Sequence, residues 1–204
     1  MPLTLAEGRQ AVALARRVLE AHVRGTTLAR EPRLPPAFAE KRGVFVTLNR
    51  FDSGARALRG CIGYSQPIKP LADSIRDVAV YASEDPRFPH PVLPEELDSI
   101  VVEVSVLTLP RELKPPRRTD LPSLVRLGVD GVVISGRGTS GLFLPQVATE
   151  QGWDGETYLS EACLKAGLPP DAWVEADTAV EVFQAEVFGE ERPRGEVVRV
   201  EPGK

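Results

Sequence analysis

Gly43-Val44-Phe45-Val46-Thr47-Leu48-Asn49-Arg50 sets Val44, Val46 and Leu48 against Phe45, Thr47 and Asn49, the two-residue alternation of a strand. Asp52-Ser53-Gly54 is a turn signal, and residues 56–62 resume as a second strand, so the stretch reads as a β-hairpin. Working outward, Thr4-Leu5-Ala6-Glu7 reads as a capping box that opens a helix running to about Arg24, with Leu14, Val18 and Ala21 on one face and Gly25 as its stop. Pro32, Pro35 and Pro36 make 26–42 an extended connection. Beyond the hairpin, residues 70–84 are helical, with Leu71, Ile75, Val78 and Ala82 as the buried stripe. Residues 85–94 hold four prolines and read as a stiff loop. Ile100, Val102, Val104 and Val106 form one face of a strong strand, and Glu103 sits on the other between Val101 and Ser105.

The second half of the chain continues in the same style. Residues 110–119 read as a Pro/Arg loop, 120–127 as a short helix ended by Gly128, and 131–135 with 142–145 as strands paired across a turn at 136–141. Asp154 caps a helix to about Ala166, stopped by Gly167 and Pro169. Residues 178–189 alternate like one long strand, and the tail from Glu190 is charged and expected to fray, with Val197, Val198 and Val200 available as an edge strand. Hairpins mixed with intervening helices predict an α+β fold, a mixed or antiparallel sheet with flanking helices, rather than a doubly wound parallel sheet.

Composition bounds the function. The chain has 204 residues, enough for one domain or one domain with a lobe, and 42% hydrophobic with 26% charged residues is ordinary for a globular chain. Twenty-five basic against 29 acidic side chains leave a net charge of −4, which argues against a generally nucleic-acid-binding surface. The charge is uneven: residues 1–60 carry 11 basic and 5 acidic side chains, and the rest carry 14 and 24. That asymmetry leaves room for a local basic face, and separately Arg111, Lys114, Arg117 and Arg118 form a basic loop, solvated by default and phosphate-contacting as the alternative. No apolar run is long enough to span a membrane and the N-terminus lacks a signal-peptide pattern, so a cytoplasmic location is expected. Cys61 and Cys163 stand alone and are expected to be separate thiols, and two histidines at unrelated spacing predict no metal site and no cofactor held by this chain. A single Asn and many prolines fit a thermophile, while codon bias explains the Arg excess equally well.

Two stretches invite a chemical reading. Gly136-Arg137-Gly138-Thr139-Ser140-Gly141 matches G-x-G-x-x-G, but a strand follows where a dinucleotide site needs a helix, so it reads as a hairpin turn. In Leu58-Arg59-Gly60-Cys61-Ile62-Gly63 the glycines permit close approach of a ligand or of another chain segment. On the residues alone two readings stand: a nucleophilic Cys61 beside an anion-binding Arg59, or a small buried cysteine in a tight strand end. Arg59 and Cys61 share a face on a regular strand, and the helix after the hairpin lets the loop carrying Asp85 and Arg87 fold back toward them. Arg59, Cys61, Asp85 and Arg87 are thus expected to border one concavity, with Gln146 as a further candidate. An Arg59–Asp85 structural ion pair is the competing reading. His90 as a base for Cys61 lacks an orienting third residue.

The hexapeptide resembles the signature of the AMMECR family. Asp85-Pro86-Arg87-Phe88-Pro89 with Glu96-Leu97, Gly128-Val129-Asp130-Gly131-Val132, Leu142-Phe143-Leu144-Pro145-Gln146-Val147 and Cys163-Leu164-Lys165-Ala166-Gly167-Leu168 are similar to further blocks of that family, in the same order. One departure is His90, where the family often has a second proline. The resemblance implies one α+β domain of two unequal lobes over residues 1–190, a charged tail at 191–204, and a cleft lined by the hexapeptide. It brings no established reaction; on the residues, Cys61 is the possible nucleophile, with Arg59, Gly60, Gly63, Asp85, Arg87 and Gln146 as the candidate substrate-binding residues. It also implies partners: a Memo-type protein similar in fold to extradiol dioxygenases, and a radical SAM protein, in the AmmeMemoRadiSam arrangement where this chain is similar to protein A. Those partners would carry the metal and the S-adenosylmethionine. A non-catalytic protein-binding module, and a nucleic-acid-binding regulator, are the alternative functions. Oligomeric state is not legible.

Overall fold

A computed structural model describes residues 2–28 and 33–200. Residues 29–32 of the Pro-rich connection and the last four residues of the tail lie outside the described residues. The fold is α+β, with antiparallel strand pairs and flanking helices. The described chain divides into two compact units, one of residues 2–107 with 186–200, the other of residues 108–185.

The first unit is built on the hairpin. Strands β1 (Val44–Asp52) and β2 (Ala55–Tyr64) pair antiparallel, and β1 also pairs antiparallel with β3 (Ile100–Leu107). With β8 (Ala185–Glu190) and β9 (Val197–Val200) the sheet order is β2-β1-β3-β8-β9. Helix α1 (Leu5–Val23) starts at the expected capping box: Glu7 N–H donates to Thr4 Oγ1 at 3.2 Å, and Thr4 N–H donates to Glu7 Oε2 at 2.8 Å. Helix α2 (Leu71–Ser83) carries the predicted stripe. Leu14, Val18, Leu71, Ile75, Val78 and Ala82 pack in one core with Val44, Val46, Leu48, Val102, Val104 and Val106. One sheet face is therefore apolar and helix-covered, and residues 45, 47, 49, 61, 63, 103 and 105 alternate onto the other. Glu190 fixes the far end of β8: its carboxylate accepts Arg16 Nε at 3.0 Å and the Val102 N–H at 2.9 Å within the buried layer.

The second unit has its own sheet, order β4-β7-β5-β6, from β4 (Arg111–Glu112), β5 (Gly131–Gly136), β6 (Thr139–Phe143) and β7 (Ala179–Phe183). Helices α3 (Leu121–Leu124), α4 (Gln146–Gln151) and α5 (Gly155–Lys165) supply Leu121, Ala148, Tyr158, Leu159, Ala162 and Cys163 to a second core with Val132, Ile134, Val180 and Val182. The Gly136–Gly141 stretch is a hairpin turn with a strand on each side, and it is tighter than the sequence suggested: only Arg137 and Gly138 lie between the strands, both at positive φ.

The structure departs from the sequence reading in several elements; β4 at Arg111–Glu112 lies inside the expected 110–119 loop, and the expected helix 120–127 is the shorter α3. The single strand expected over 178–189 is two, because the chain leaves one sheet and enters the other at Gln184, whose N–H donates to Thr108 Oγ1 and whose amide donates to Asp130. The strand expected at 142–145 is β6, which starts at Thr139 and ends at Phe143, and α4 follows from Gln146. Val197, Val198 and Val200 do form the edge strand that the tail offered: in β9, Val197–Val200 pair antiparallel with Val187–Glu190. Among the described residues no helix is long and apolar enough to cross a membrane.

Candidate functional site at Cys61

β2 is an edge strand, and an edge strand leaves alternate backbone N–H and C=O groups without a neighbouring strand. At Cys61 the loop after α2 takes that place. Asp85 Oδ2 accepts the Cys61 N–H at 2.9 Å, and Arg87 Nη2 donates to the Cys61 carbonyl at 2.8 Å. Asp85 also accepts the Arg87 backbone N–H at 3.0 Å and Arg87 Nε at 3.0 Å. The Asp85 side chain is fully buried, while that of Arg87 is 56% exposed. The Arg87 guanidinium, followed by the Cys61 and Arg87 backbone N–H groups, holds the Asp85 carboxyl far below the usual carboxylate range against the opposing effect of burial. Two side chains thus hold the Cys61 backbone at its N–H and at its carbonyl, and the side chain of Arg87 stays mostly exposed beside it.

Because its backbone faces the loop, Cys61 forms the non-hydrogen-bonded kind of pair with Thr47 on β1, the kind that brings side chains closer. Thr47 Oγ1 donates to Cys61 Sγ at 3.3 Å. Cys61 is half-buried, and Cys163 is buried in the second unit; both are free thiols. Burial pushes the Cys163 thiol up.

Arg59 does something other than the sequence suggested. The register steps from Leu48↔Gly60 to Asn49↔Leu58, so Arg59 is the extra residue of a β-bulge, and the regular alternation expected to put it on the face of Cys61 is interrupted. Its side chain reaches residues 88–96: Nε donates to Glu96 Oε1 at 2.7 Å, and Nη2 donates to Glu96 Oε2 at 3.0 Å and to the His90 carbonyl at 3.1 Å. It lies 5.4 Å from the Phe88 ring centroid and is only 9% exposed. Arg59 in turn holds the Glu96 carboxyl below its ordinary value. The ion-pair partner is Glu96, not Asp85. His90 is engaged with Arg59 and with the Pro91 carbonyl, away from Cys61 Sγ.

The two glycines also serve the fold. A Cβ on Gly60 would sit 2.0 Å from the Ala82 carbonyl oxygen of α2, and one on Gly63 would sit 2.4 Å from the Phe45 ring and the Val44 carbonyl oxygen. The space they free is filled by this chain's own atoms, so the expectation of an uncovered strand face around Gly60 and Gly63 is corrected. Gln146 opens α4 in the second unit and is exposed. The structure therefore brings Arg59, Gly60, Cys61, Gly63, Asp85 and Arg87 together through one loop and one strand, with Arg59 facing inward and Arg87 outward. Sequence reasoning missed Thr47, Phe88 as the surface under Arg59, and Glu96 as its partner. Thr47 sits on the face of the hairpin opposite Leu48, which was the available signal. Among the described residues no three His, Cys, Asp or Glu side chains gather into a metal-holding group.

Comparison with known proteins places this geometry in a family. The AMMECR1 family model matches residues 12–188. A protein of Methanothermobacter thermautotrophicus is 51% identical over 192 residues, covering 93% of this chain and 97% of that one. PH0010 of Pyrococcus horikoshii is 48% identical over 195 residues, covering 94% of each. The crystal structure of PH0010, an uncharacterized protein, superposes with a TM-score of 0.75 at 46% identity, covering 96% of this chain and 97% of that one. The hexapeptide resemblance and the full-length match agree, and the chain belongs to the AMMECR1 family.

Proposed function

We propose that the chain is the thiol-bearing component of an enzyme system, taking a small or protein-borne substrate with an anionic group at Cys61. The observation that carries this reading is the pairing of a half-buried thiol with the open guanidinium of Arg87, both fixed by the buried carboxylate of Asp85. A nucleophile needs its attacking atom held in one geometry and a positive group where substrate charge sits. Here Thr47 orients the sulfur, Asp85 orients the peptide, and Arg87 supplies the charge. In this reading Arg87 replaces Arg59 as the anion-binding group, and Arg59 holds the loop on the strand. The Memo-type and radical SAM partners rest on the family resemblance, and they would bring the metal and the S-adenosylmethionine.

Charge-selective alkylation tests the site on the unmodified protein. Iodoacetate and iodoacetamide differ by one carboxylate, so their rate ratio at Cys61 reads the local charge. The ratio in the folded protein is expected to exceed that of the same cysteine in the urea-unfolded chain by about three- to tenfold at low salt, and to fall as salt screens Arg87. Adducts are assigned by peptide mass, with Cys61→Ser as the blank. A folded thiol that reacts no faster with either reagent than buried Cys163, or a ratio equal to that of the unfolded chain, would leave a packed cysteine and a non-catalytic module.

A further inference from the structure

The sheet register places one more chemical group beside Cys61. Thr47 is opposite Cys61 on β2 and opposite Glu103 on β3, so Cys61, Thr47 and Glu103 stand in one row across three strands. All three alternate onto the face away from the helices, since their strand neighbours Val46, Leu48, Val102 and Val104 fill the core. The row continues to Gly189 on β8, where an added Cβ would lie 3.4 Å from Glu103 Cγ and 3.5 Å from Oε2. Val200 Cγ2 lies 3.4 Å from the same point, so the side chain that β9 brings to this flank of Glu103 is apolar and offers the carboxyl no partner. At the other end of the row, Arg87 grips the outer edge of Cys61.

Glu103 has the environment of a group that waits for a partner. It is half-buried, and among the described residues its carboxyl makes no hydrogen bond and no ion pair. Burial raises its proton affinity, and Arg56 is the one charge that opposes this. Arg56 is committed elsewhere, donating to the Glu190 and Glu191 carbonyls at 2.8 and 3.2 Å. The other groups that flank Glu103 are uncharged: Thr47 on β1, Val101 and Ser105 along β3, Gly189 on β8 and Val200 on β9. Every other mostly buried acid of this unit is matched: Asp85 by Arg87, Glu190 by Arg16, and Glu186 by Arg42 and Arg199. Glu103 is the exception, and it stands one residue across from the residue that holds the sulfur.

We propose that Glu103 is the second recognition group of the Cys61 site, holding the amine of a zwitterionic ligand whose anionic end meets Arg87 and whose reactive carbon lies over Cys61 and Thr47. The inference deepens the thiol reading and rests on it. The row has a cation at the sheet edge, a nucleophile and a hydroxyl in its middle, and an unmatched acid two strand spacings from Cys61, roughly 10 Å. An amine is the partner that matches an unpaired acid in both charge and hydrogen bonding, because it returns the carboxyl to its ionised form. A carbonyl oxygen, by contrast, requires the acid to stay protonated.

The test tethers an amine at Cys61 and asks whether Glu103 responds. With aminoethyl methanethiosulfonate the Cys61 thiolate attacks the sulfenyl sulfur. A new S–S bond forms, the old S–S bond to the sulfonyl group breaks, methanesulfinate leaves with the electron pair, and the thiol proton goes to solvent. Methyl methanethiosulfonate gives the uncharged control adduct. At pH 8 the aminoethyl adduct is expected to melt about 2–4 °C above the methyl adduct, and Glu103→Gln is expected to remove the difference. A second readout needs no variant: the carbon-13 titration of the Glu103 carboxyl is expected to move to lower pH in the aminoethyl adduct. Equal melting of the two adducts, an unmoved Glu103 titration, or a difference that survives Glu103→Gln overturns the proposal and leaves the thiol reading standing. If Cys61 takes up neither reagent, the thiol reading fails and this one with it.

The same residue gives a stability test. A carboxyl whose proton affinity is raised in the folded state binds protons there more tightly than in the unfolded chain. Its contribution is therefore present at low pH and lost as pH rises through the folded-state value. Glu103→Gln is expected to raise the melting temperature at pH 8 and to leave it unchanged near pH 4; a gain of equal size at both would show that no buried charge was relieved.

Discussion

A methyl group at Gly60 is expected to destabilise the first unit by about 3 kcal/mol or more. The Cβ of alanine would stand 2.0 Å from the Ala82 carbonyl oxygen and 3.1 Å from its carbonyl carbon. Both atoms are helix backbone, so no side-chain rotation relieves the clash; either α2 or β2 has to move. Moving α2 opens the core that Ile75, Val78 and Ala82 share with Val46 and Leu48. Moving β2 breaks the clasp on Cys61, since the Asp85 Cβ is only 3.6 Å from the same point. Urea melts of Gly60→Ala against the parent chain measure the loss, and Gly54→Ala, in the open hairpin turn at φ 91°, is the comparison in which strain arises without a clash. Gly60→Ala with parental stability would mean that strand and helix are not held at the distance described.

Removing the Arg59 side chain is the second large effect. Glu96 accepts two hydrogen bonds from it and is itself only 18% exposed, so Arg59→Ala strands a carboxylate in a half-buried loop and removes the group beneath Phe88. Breaking a buried pair from one side costs roughly 3–5 kcal/mol. Arg59→Ala with Glu96→Gln is expected to recover part of the loss, because the stranded charge goes with it. The single variant should unfold at lower urea concentration and yet keep, while folded, the alkylation ratio at Cys61. An anion-binding Arg59 would show the reverse, parental stability with an altered ratio. The pair also sets an acid limit. Arg59 lowers the Glu96 carboxyl and Arg87 lowers that of Asp85, so both contributions are present above the unfolded-state carboxylate range and are lost as pH falls below it.

What was legible in the sequence was what local chemistry decides. Thr4 and Glu7 start a helix wherever that helix packs, and the alternation of Val44, Val46 and Leu48 marks a strand with one buried face in any sheet. The α2 stripe and the strand at Ile100 were legible for the same reason. The break at Gln184 was not. Val180, Val182, Glu186 and Phe188 keep one unbroken two-residue rhythm, and only hydrogen bonds to Thr108 and Asp130, more than fifty residues away, show where the chain changes sheets. The bulge at Arg59 was hidden likewise, because it is a property of how β2 registers with β1. For the site, the return of the Asp85–Arg87 loop to the strand followed from chain order, whereas Gln146, expected with them, lies in the second unit. Their roles did not follow. Arg59 and Arg87 are both arginines near a cysteine, and only burial tells the one that holds the loop from the one left open to solvent. Glu103 stood out as a lone acid on an alternating strand, but its place opposite Thr47 requires the register of two further strands.

The clasp on β2 has a consequence for how the protein behaves at high concentration. A bare sheet edge is a template on which a second chain can add a strand, and natural proteins blunt such edges. Here the blunting at Cys61 is done by two side chains instead of by a strand, so it is only as durable as the Asp85–Arg87 pair. Once the loop lifts, the edge from Arg59 to Tyr64 presents a glycine-spaced, weakly charged strand to its neighbours. Turbidity at high concentration, beyond that of simple unfolding, is the expected outcome for chains with a damaged 85–87 loop.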